Sequence, residues 1–590
     1  MASTTPLAKP PAFGTSIPKR PHAVSVHLPK WEDVVDVALG KPRVKGILKG
    51  GYPRSFIHES IVAVHQAVLK KHGNETQIAL VFPAREHVDA CKTYLCTPPN
   101  GSEGIPEEEV QTLNLEFDVE YGPEDGSALT TTRQPLFAVL LPATHAAKAQ
   151  VFWRITGCGI SSRLADDLIK NLDTMTIARE TETPKAFITS RSAEVVVRNR
   201  IGNFLDRAPI KPRTKYVQSD DVFMFPAGMS AIYNCTKALK SWPGAQMVVF
   251  GFPYELTVKV QQDFSKACTF YGFGTTVELD QFEESLRIKS LKNPDERPVQ
   301  AVWCECASNP LLRTVDLDRI RRLADKYGFL VIIDDTIGSS ANVDVMDIAD
   351  VVITSLTKSF NGYADVLCGS IALNPAMPHY ENLKSTISTS YTNYFYVADA
   401  VQLEINSRNY LERSTIMNRN ASYLVSILEP LTRDHHPDSP LTHVYHPSTC
   451  WSAENYKARL RQSTDDFTPG HGFLFTLEFV NLKVATAFYD AIQVCKGPSI
   501  GAPITLALPY VQVVFQKEKQ WAASYGLSEA IVRISVGLED QMALAMAVLD
   551  AMRVADASME DIRLEKSTRQ LTIAPAAVSR ASVAPPMASV

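Results

Sequence analysis

Residues 351–373 read V-V-I-T-S-L-T-K-S-F-N-G-Y-A-D-V-L-C-G-S-I-A-L. Lys358 comes directly after a short apolar run, where burial disfavours the charged form of an amine. A lysine whose pKa is lowered by desolvation is a competent Schiff-base nucleophile. Most lysines at such a position only bury their stem and keep the ammonium at the rim of the fold. The strands and motifs around Lys358 therefore have to decide between these two interpretations.

Three more apolar runs lie in the same region, at residues 246–250, 299–304 and 330–334, and helical patterns separate them. Runs that are apolar on both faces and alternate with helices predict an α/β fold with a mostly parallel sheet covered on both sides. Ligands of such sheets bind beyond the carboxyl ends of the strands. The polar residues of this region cluster at those ends, so we expect a small-molecule site there.

Six short blocks follow one another in a specific order along the chain. They are F-P-A-G-M-S-A-I (225–232), P-Y-E-L-T (253–257), E-C-A-S-N-P-L-L-R-T-V-D (305–316), I-I-D-D-T (332–336), S-L-T-K with N-G-x-x-D-V and G-S (355–370), and I-V-R-I-S-V-G-L-E-D (531–540). In that order they resemble the cystathionine γ-synthase/γ-lyase family, the Cys/Met-metabolism branch of the pyridoxal-phosphate enzymes of fold type I. The resemblance covers about residues 190–552, and the long N-terminal extension is similar to that of fungal cystathionine γ-synthases.

The resemblance implies pyridoxal 5′-phosphate as cofactor and gives each block a role. Lys358 would hold the cofactor covalently, and Tyr254 would stack on its ring and assist proton transfer. Arg533 would clamp the substrate carboxylate in a bidentate pair, with Ser499 as a second substrate-binding residue. No metal is expected. The residues implied to bind the cofactor are Gly228, Met229, Ser230, Tyr254, Asn309, Asp334, Thr336, Ser355, Thr357 and Lys358.

Physical chemistry supports these roles but leaves alternatives for single residues. Gly228 begins a helix whose N–H groups suit a phosphate, although it could also be an ordinary turn. Asp334 ends an apolar strand and needs a cationic partner such as a protonated pyridine nitrogen, unless it is a helix N-cap. Tyr254 could be a core tyrosine, Asn309 before Pro310 could mark a turn, and Arg533 could form a structural ion pair.

Two departures from the family pattern affect substrate specificity. The Tyr-x-Arg pair that reaches the phosphate across a subunit interface has no tyrosine in the corresponding S-R-S-A stretch, where Arg191 could partly substitute. The loop that usually reads S-L-G-G-x-E-S-L is S-I-G-A-P-I-T-L at residues 499–506, with Ile504 in the place of the acidic residue. Both differences leave the incoming nucleophile undetermined.

Patterning along the chain predicts five segments. Residues 1–30 are expected to be a flexible arm, and residues 31–184 an α/β extension domain without a catalytic constellation. Strands are predicted there at 78–82 and 136–141, with a helix at 60–71. Residues 185–375 would form the large cofactor-binding domain and residues 376–562 the smaller C-terminal domain, with strands at 473–480 and 531–536. The remainder, residues 563–590, reads as a disordered tail.

The amino-acid composition limits the classes of binding partner and the cellular locations that we expect. Fifty-nine Lys+Arg against 64 Asp+Glu give a net charge of -5, so no basic field favours nucleic acid or an anionic membrane. Ten cysteines without paired C-x-x-C elements argue against zinc and for reduced thiols. A cytoplasmic location is expected. A transit peptide is the alternative, because residues 1–31 lack acidic residues, but six prolines oppose the helix it needs.

The function expected from the resemblance is a γ-replacement on an O-acylated homoserine, with cysteine as nucleophile and cystathionine as product, as in trans-sulfuration and methionine biosynthesis. A homodimer or homotetramer is expected, because such sites commonly form between subunits. One alternative keeps this chemistry but uses a carbon or amine nucleophile, as in fungal secondary metabolism. Another is a catalytically silent relative with a binding or regulatory role.

Overall fold

The computed structural model of the chain describes residues 5–44, 46–53, 55–121, 130–178, 187–190 and 192–573, with side chains up to residue 559. An extended arm leads into the first helix, α1 (Trp31–Ala38). Three packed units follow, each built on its own β-sheet. Arg191, which was considered as a substitute for the family arginine, lies outside the described residues, and so do residues 574–590.

The N-terminal unit is a four-stranded antiparallel sheet in the order β1–β3–β2–β4. In β2, Leu113, Leu115, Phe117 and Val119 alternate with more exposed residues, so one face of this strand packs on helices. The predicted strands at 78–82 and 136–141 and the helix at 60–71 are confirmed. The elements are α2 (Glu59–His72), β1 (Gln77–Phe82), α3 (Arg85–Cys96), β2 (Gln111–Tyr121), β3 (Thr130–Pro142), α4 (Ala146–Thr156), α5 (Ser162–Ile169) and β4 (Thr176–Ile177).

The central unit is a seven-stranded sheet in the order β5–β11–β10–β9–β8–β6–β7, parallel except where β11 pairs with its two neighbours. Helices cover both faces, which explains why most of these short strands are apolar throughout. The fold class and the four predicted strands are confirmed. The strands are β5 (Val222–Phe225), β6 (Met247–Phe250), β7 (Cys268–Tyr271), β8 (Ala301–Glu305), β9 (Leu330–Asp334), β10 (Val351–Thr354) and β11 (Gly369–Leu373). The helices are α6 (Ser192–Asp206), α7 (Gly228–Ala238), α8 (Glu255–Phe264), α9 (Thr276–Lys292), α10 (Leu317–Tyr327), α11 (Ser339–Asn342) and α12 (Tyr380–Ser390).

The C-terminal unit contains a five-stranded sheet in the order β12–β13–β16–β15–β14. Both predicted strands are present, as β13 and β16. The strands are β12 (Leu441–Tyr445), β13 (Leu474–Phe479), β14 (Cys495–Lys496), β15 (Leu506–Leu508) and β16 (Ile531–Ser535). The helices are α13 (Val397–Asn406), α14 (Tyr410–Leu428), α15 (Ala453–Lys457), α16 (Leu482–Ala491), α17 (Tyr510–Val514), α18 (Lys519–Ser524) and α19 (Gln541–Ile573).

The arm differs from the flexible segment predicted over residues 1–30. Ile17, Val24, Val26 and Leu28 are buried, and Ser16 forms a β-bridge with Val26. The backbone N–H of Leu28 donates to the carbonyl of Lys496, which joins the arm to β14. Proline-rich sequence excludes a helix, but it does not prevent extended chain from packing on the fold, and residues 23–28 are all buried.

Two predicted boundaries also differ from the packing. The boundary proposed after residue 375 falls before α12, whose Leu383 and Ile387 pack on the central sheet. The tail proposed from residue 563 begins inside α19, which continues to Ile573.

Within the described residues, no helix is long and apolar enough to cross a membrane, and no cluster of His, Cys, Asp and Glu could hold a metal ion.

Candidate active site

A cleft of about 1070 Å³ opens at the carboxyl edge of the central sheet. Parallel pairing places Glu305 at the end of β8 beside Asp334 at the end of β9, and Lys358 follows β10. The C-terminal unit contributes Arg533 from β16. Most of the site residues predicted from the sequence line this cleft, namely Gly228, Met229, Tyr254, Asn309, Asp334, Thr336, Ser355, Lys358 and Arg533.

Lys358 is buried, and its Nζ donates a hydrogen bond to the hydroxyl oxygen of Tyr52 at 2.6 Å. The same Nζ lies 4.3 Å from the centre of the Tyr52 ring. Arg413 holds the loop that follows the lysine, because its Nη2 donates to the carbonyls of Ser359 and Phe360 at 3.2 and 2.9 Å. The lysine therefore projects from a backbone that is anchored on both sides.

The turn before α7 lies against the lysine segment. A Cβ on Gly228 would lie 2.7 Å from the Oγ of Ser355, so only glycine allows this approach. Both residues line the cleft at the N-terminus of α7, where backbone N–H groups have no partner inside the helix. Thr336 supports this corner, because its Oγ1 accepts from the N–H of Ser355 at 2.8 Å.

Three predicted site residues are not among the residues that line the cleft. The Thr357 hydroxyl exchanges hydrogen bonds with the backbone of Cys368 at 3.0 and 3.2 Å. Ser230 accepts at its Oγ from Asn234 at 3.2 Å, within α7. Ser499 is buried beneath the arm, and its N–H donates to Ser25 Oγ at 3.4 Å. A motif match locates a residue along the chain, but the rotamer and the local hydrogen bonds decide where its side chain points.

Asp334 and Asp335 occupy different environments although they are adjacent in sequence. Asp334 lines the cleft, and its Oδ1 accepts from the N–H of Thr336 at 2.9 Å. Asp335 is fully buried and accepts from the Thr354 hydroxyl at 2.6 Å. Burial raises the pKa of Asp335 to about 7. Successive residues at a strand end point to opposite faces, so only the first of the pair reaches the cleft.

Glu305 connects several residues of the site, and the sequence interpretation gave it no role. Its two carboxylate oxygens accept from the backbone N–H of Tyr254 at 2.8 Å and of Asn309 at 3.1 Å. Burial, together with the nearby charge of Asp334, raises the pKa of Glu305 well above its ordinary value. Asn309 in turn accepts at Oδ1 from Arg533 Nη1 at 3.0 Å. One hydrogen-bonded chain therefore runs from Tyr254 to Arg533.

Arg533 is buried on β16, with its Nη2 donating to the carbonyl of Pro498 at 2.9 Å. Its guanidinium carbon lies 4.8 Å from the centre of the Tyr510 ring. Burial lowers the pKa of this guanidinium from its ordinary value. Among the described residues no carboxylate forms an ion pair with Arg533, which does not support the alternative of a structural ion pair. An incoming carboxylate would supply the missing charge.

Tyr52 was missed from the sequence because residues 31–184 were expected to contain no catalytic constellation. The structure corrects that expectation, since Tyr52 reaches Lys358 from this region of the same chain. A signal was present, because residues 52–54 read Y-P-R, which is a Tyr-x-Arg pair well upstream of the stretch where such a pair was sought. Arg54 itself lies outside the described residues.

Arg154 and Tyr510 also line the cleft, and no sequence motif marks either of them.

Ile504, in contrast, packs with the arm residues Ile17 and Val24 and is not among the residues that line the cleft. The replacement of the family acidic residue by Ile504 therefore changes the packing of the arm rather than the wall of the cleft.

The donor set of the cleft fits pyridoxal phosphate. The glycine turn of α7 and Ser355 form a corner of neutral donors for a phosphate. Lys358 has the primary amine that a cofactor aldehyde requires, and Asp334 has a carboxylate for the protonated ring nitrogen. Tyr254, placed by Glu305, supplies an aromatic face. These residues come from four separate segments and converge only in the folded chain.

Comparison with family models gives two matches. The model described as Cys/Met metabolism PLP-dependent enzyme matches residues 190–553. The model described as fungal trans-sulfuration enzyme, N-terminal domain, matches residues 60–161. Together these matches include the central sheet, most of the C-terminal unit and much of the N-terminal unit.

Several similar proteins have been characterised or named. An alanine racemase, ungC, of Aspergillus violaceofuscus is 33% identical, with 92% of this chain and 96% of that protein covered. The cystathionine gamma-synthase-like enzyme iboG2 of Amanita muscaria is 32% identical, with coverage of 91% and 95%. The cystathionine gamma-synthase of Neurospora crassa is 30% identical, with coverage of 92% and 98%. The crystal structure of cystathionine gamma synthase from Xanthomonas oryzae pv. oryzae in complex with cystathionine covers 62% of this chain and 99% of its own, at 20% identity and a TM-score of 0.47.

Proposed function

Because the chain belongs to the Cys/Met-metabolism family of PLP-dependent enzymes, we propose that it catalyses a γ-replacement on an O-acylated homoserine with cysteine as the preferred nucleophile. The product would be cystathionine, as in trans-sulfuration. The observation that carries the proposal is the convergence of Lys358, Asp334 and Arg533 in one cleft. A silent relative would have no need to keep an amine, a carboxylate and a guanidinium in this arrangement.

Arg533 would bind the substrate α-carboxylate, since its guanidinium has neutral partners in Asn309 and Pro498 but no anionic one among the described residues. The planar fork of an arginine matches a carboxylate bidentately and sets the orientation of the bound molecule. Asn309 fixes the fork, and Glu305 fixes Asn309. The carboxylate position would therefore be defined before the substrate enters.

Lys358 would move protons between the α and β carbons of the substrate after releasing the cofactor. Its amine is within hydrogen-bond distance of the Tyr52 hydroxyl, which can accept a hydrogen bond from the ammonium or donate one to the free amine and so orients the amine for proton transfer. When bound, pyridoxal phosphate supplies an electron sink that makes loss of the α and β protons and of the γ-acyloxy group accessible. Asp334 would keep the ring nitrogen protonated by its negative charge.

The nucleophile is the least constrained part of the proposal. A carbon acid or an amine in place of cysteine remains the alternative nucleophile, and the name of the relative iboG2, cystathionine gamma-synthase-like enzyme, specifies no nucleophile. The similarity to an alanine racemase adds a second candidate, in which Lys358 and Tyr52 would exchange the α-proton of a small amino acid.

A substrate panel separates these candidates. Purified holoenzyme is incubated with O-acetyl- or O-succinylhomoserine together with cysteine, an amine or a carbon acid, and in parallel with L-alanine. Cystathionine formed faster than any other adduct supports the proposal. Consumption of a carbon acid or amine in the presence of cysteine, without cystathionine, would replace it with the secondary-metabolic alternative. D-Alanine without any γ-replacement product would assign the chain to racemisation.

Assembly and location are proposed together with the activity. A homodimer or homotetramer is our proposal for the oligomeric state, on the ground that sites of this type commonly form between subunits. Light scattering of the holoenzyme measures the assembly directly. The cytoplasm is our proposal for the location, and fluorescence microscopy of the tagged full chain tests it.

A further inference from the structure

A second cavity of about 910 Å³ adjoins the cleft and is called the side cavity below. The arm, the N-terminal unit and the turn before α7 form its walls. Three residues line both spaces, namely Tyr52, Arg154 and Met229. The cleft and the side cavity are therefore neighbouring chambers, and the tyrosine that contacts Lys358 stands between them.

Arg154 lines both spaces and forms no ion pair with a carboxylate among the described residues. It lies in the last turn of α4, half-buried, and its Nε is shielded from water without a hydrogen-bond partner among the described residues. Arg163, in the same wall, is paired with Asp399 at 3.0 Å. Arg213, Arg321 and Arg459 are likewise paired with carboxylates. A half-buried cation without an anion costs free energy that an anionic ligand would recover.

The remaining walls of the side cavity are mainly apolar or neutral. Val24, Phe56, Trp153 and Ile160 present apolar surface. Burial lowers the pKa of His22 to about 4 and also lowers that of His58, so both imidazoles are neutral at pH 7. The acids in the wall, Asp365 and Asp399, already pair with Arg20 and Arg163. A small molecule with one anionic group and an apolar body fits this chemistry.

We propose that the side cavity binds the nucleophilic co-substrate of the γ-replacement, with its carboxylate on Arg154 and its apolar part on Trp153 and Ile160. This inference rests on the proposed function. The reaction forms one bond from the nucleophilic atom to Cγ and breaks the Cγ–O bond of the ester. The nucleophile loses one proton, and the acyl group leaves as a carboxylic acid. Since Ile504 packs under the arm, the recognition of the second substrate falls to this chamber of the N-terminal unit.

Mercaptoacetate and 2-mercaptoethanol test the assignment of the side cavity, because the first has a carboxylate where the second has a hydroxymethyl group. Each thiol is incubated with a homoserine ester and holoenzyme. We expect the KM of mercaptoacetate to be about tenfold lower, the size of one charge-assisted hydrogen bond at a half-exposed site. Arg154→Gln should abolish that preference. Lys148→Gln is the matched control, because it removes a half-buried cation of the same helix that lines neither the cleft nor the side cavity.

Cofactor affinity, measured by fluorescence titration of the apoprotein, distinguishes an Arg154 that binds the nucleophile from an Arg154 that binds the cofactor phosphate. The assignment requires that Arg154→Gln bind pyridoxal phosphate as tightly as the control does. A weaker cofactor complex with an unchanged thiol preference would overturn it and make Arg154 a phosphate ligand. Equal KM values for the two thiols in the unaltered enzyme would overturn it as well.

Calorimetry of holoenzyme with propionate and with 1-propanol covers the case in which no ester reacts. Absence of any reaction with both esters refutes the proposed γ-replacement but leaves the side cavity testable. Loss of one propionate site in Arg154→Gln that Lys148→Gln retains, beyond the propionate site expected at Arg533, supports the anion site. Propionate binding that is the same in both variants, or absent from the unaltered chain, rejects it.

Discussion

At the scale of single residues, the chemistry of the cleft depends on which neighbours each group acquires. Asp334 and Asp335 have the same side chain and adjacent positions, yet one lines the cleft and the other hydrogen-bonds to Thr354 in the core. Lys358 is buried like a core residue but is aimed at the Tyr52 hydroxyl. Exchanging single residues therefore tests the site most directly.

Lys358→Ala should remove the covalent attachment of the cofactor. In the unaltered enzyme, borohydride should bleach the visible absorption of bound pyridoxal phosphate and fix the cofactor to the peptide that contains Lys358. The measurement is absorption spectroscopy followed by mass spectrometry of the digest. A variant that still carries a reducible, covalently fixed cofactor would show that another amine is used.

Asp334→Asn should leave the fold intact and remove most of the activity, because a neutral amide cannot hold the pyridine nitrogen protonated. The same change at Asp335 is the matched control and should cost far less activity. Activity and circular dichroism are measured for both variants. Equal losses of activity, or loss of activity only together with unfolding, would contradict the assignment of Asp334.

Asp335 also predicts a pH dependence of stability. Burial raises its pKa in the folded chain to about 7, whereas an aspartate in an unfolded chain titrates near pH 4. Between these values the folded state holds a proton that the unfolded state has released, so the free energy of unfolding should fall as the pH rises from about 4 to 7. Urea unfolding at several pH values should show a shallower fall in Asp335→Asn. An identical pH profile in both proteins would mean that this carboxyl is not protonated in the fold.

At the scale of elements, the arm is a packed segment rather than a tether. Its apolar residues join the cluster that contains α14, β13 and α16, and the Tyr489 hydroxyl donates to the carbonyl of Leu28 at 2.7 Å. The Nζ of Lys496 donates to the carbonyl of Pro29 at 2.9 Å. The arm leads to the segment that carries Tyr52, so its docking helps to place a residue of the cleft.

Leu28→Ala should destabilise the chain by about 2–5 kcal/mol, the range for a buried leucine in a packed core. Leu39→Ala is the matched control, because Leu39 is 47% exposed and lies only eleven positions further along. Its effect should be within about 0.5 kcal/mol. Denaturant unfolding of the two variants measures both values. Equally small effects would mean that the arm does not pack in solution.

At the scale of the whole molecule, the N-terminal unit is part of the active enzyme. A Cβ on Gly157, at the end of α4, would lie 2.9 Å from the backbone nitrogen of Ser230 in α7. Phe152 and Tyr233 share one apolar cluster across this contact. Removal of the unit would expose that cluster and take away Tyr52 and Arg154 together.

A chain truncated to residues 185–590 should therefore aggregate or bind pyridoxal phosphate much more weakly, although all six family blocks lie within it. Size-exclusion chromatography and cofactor titration measure the two outcomes. Tyr52→Phe in the full chain isolates the local effect, and it should keep the fold while slowing proton transfer. A soluble truncated chain with unchanged cofactor affinity would show that the N-terminal unit is independent of the site.

The sequence by itself determined the family, the fold class and the cofactor, and it predicted Lys358 as the residue that holds the cofactor. These depend on local pattern: apolar runs of strand length, a glycine turn before a helix, and motifs in a fixed order. The same patterns located Asp334, Tyr254, Asn309 and Arg533 on elements that end at the cleft.

Only the tertiary structure decided which side chains meet. Tyr52 and Lys358 are 306 positions apart, and nothing local to either residue predicts their hydrogen bond. The same holds for the packing of a proline-rich arm against the C-terminal unit and the placement of Ile504 beneath it. It holds also for Arg154 between two cavities, which has no ion-pair partner among the described residues. Thr357, Ser230 and Ser499 match the family motif, yet none of them lines the cleft, and neighbouring groups bind the hydroxyls of Thr357 and Ser230. Long-range packing sets these contacts, because the free energy of each depends on partners that are distant in the sequence.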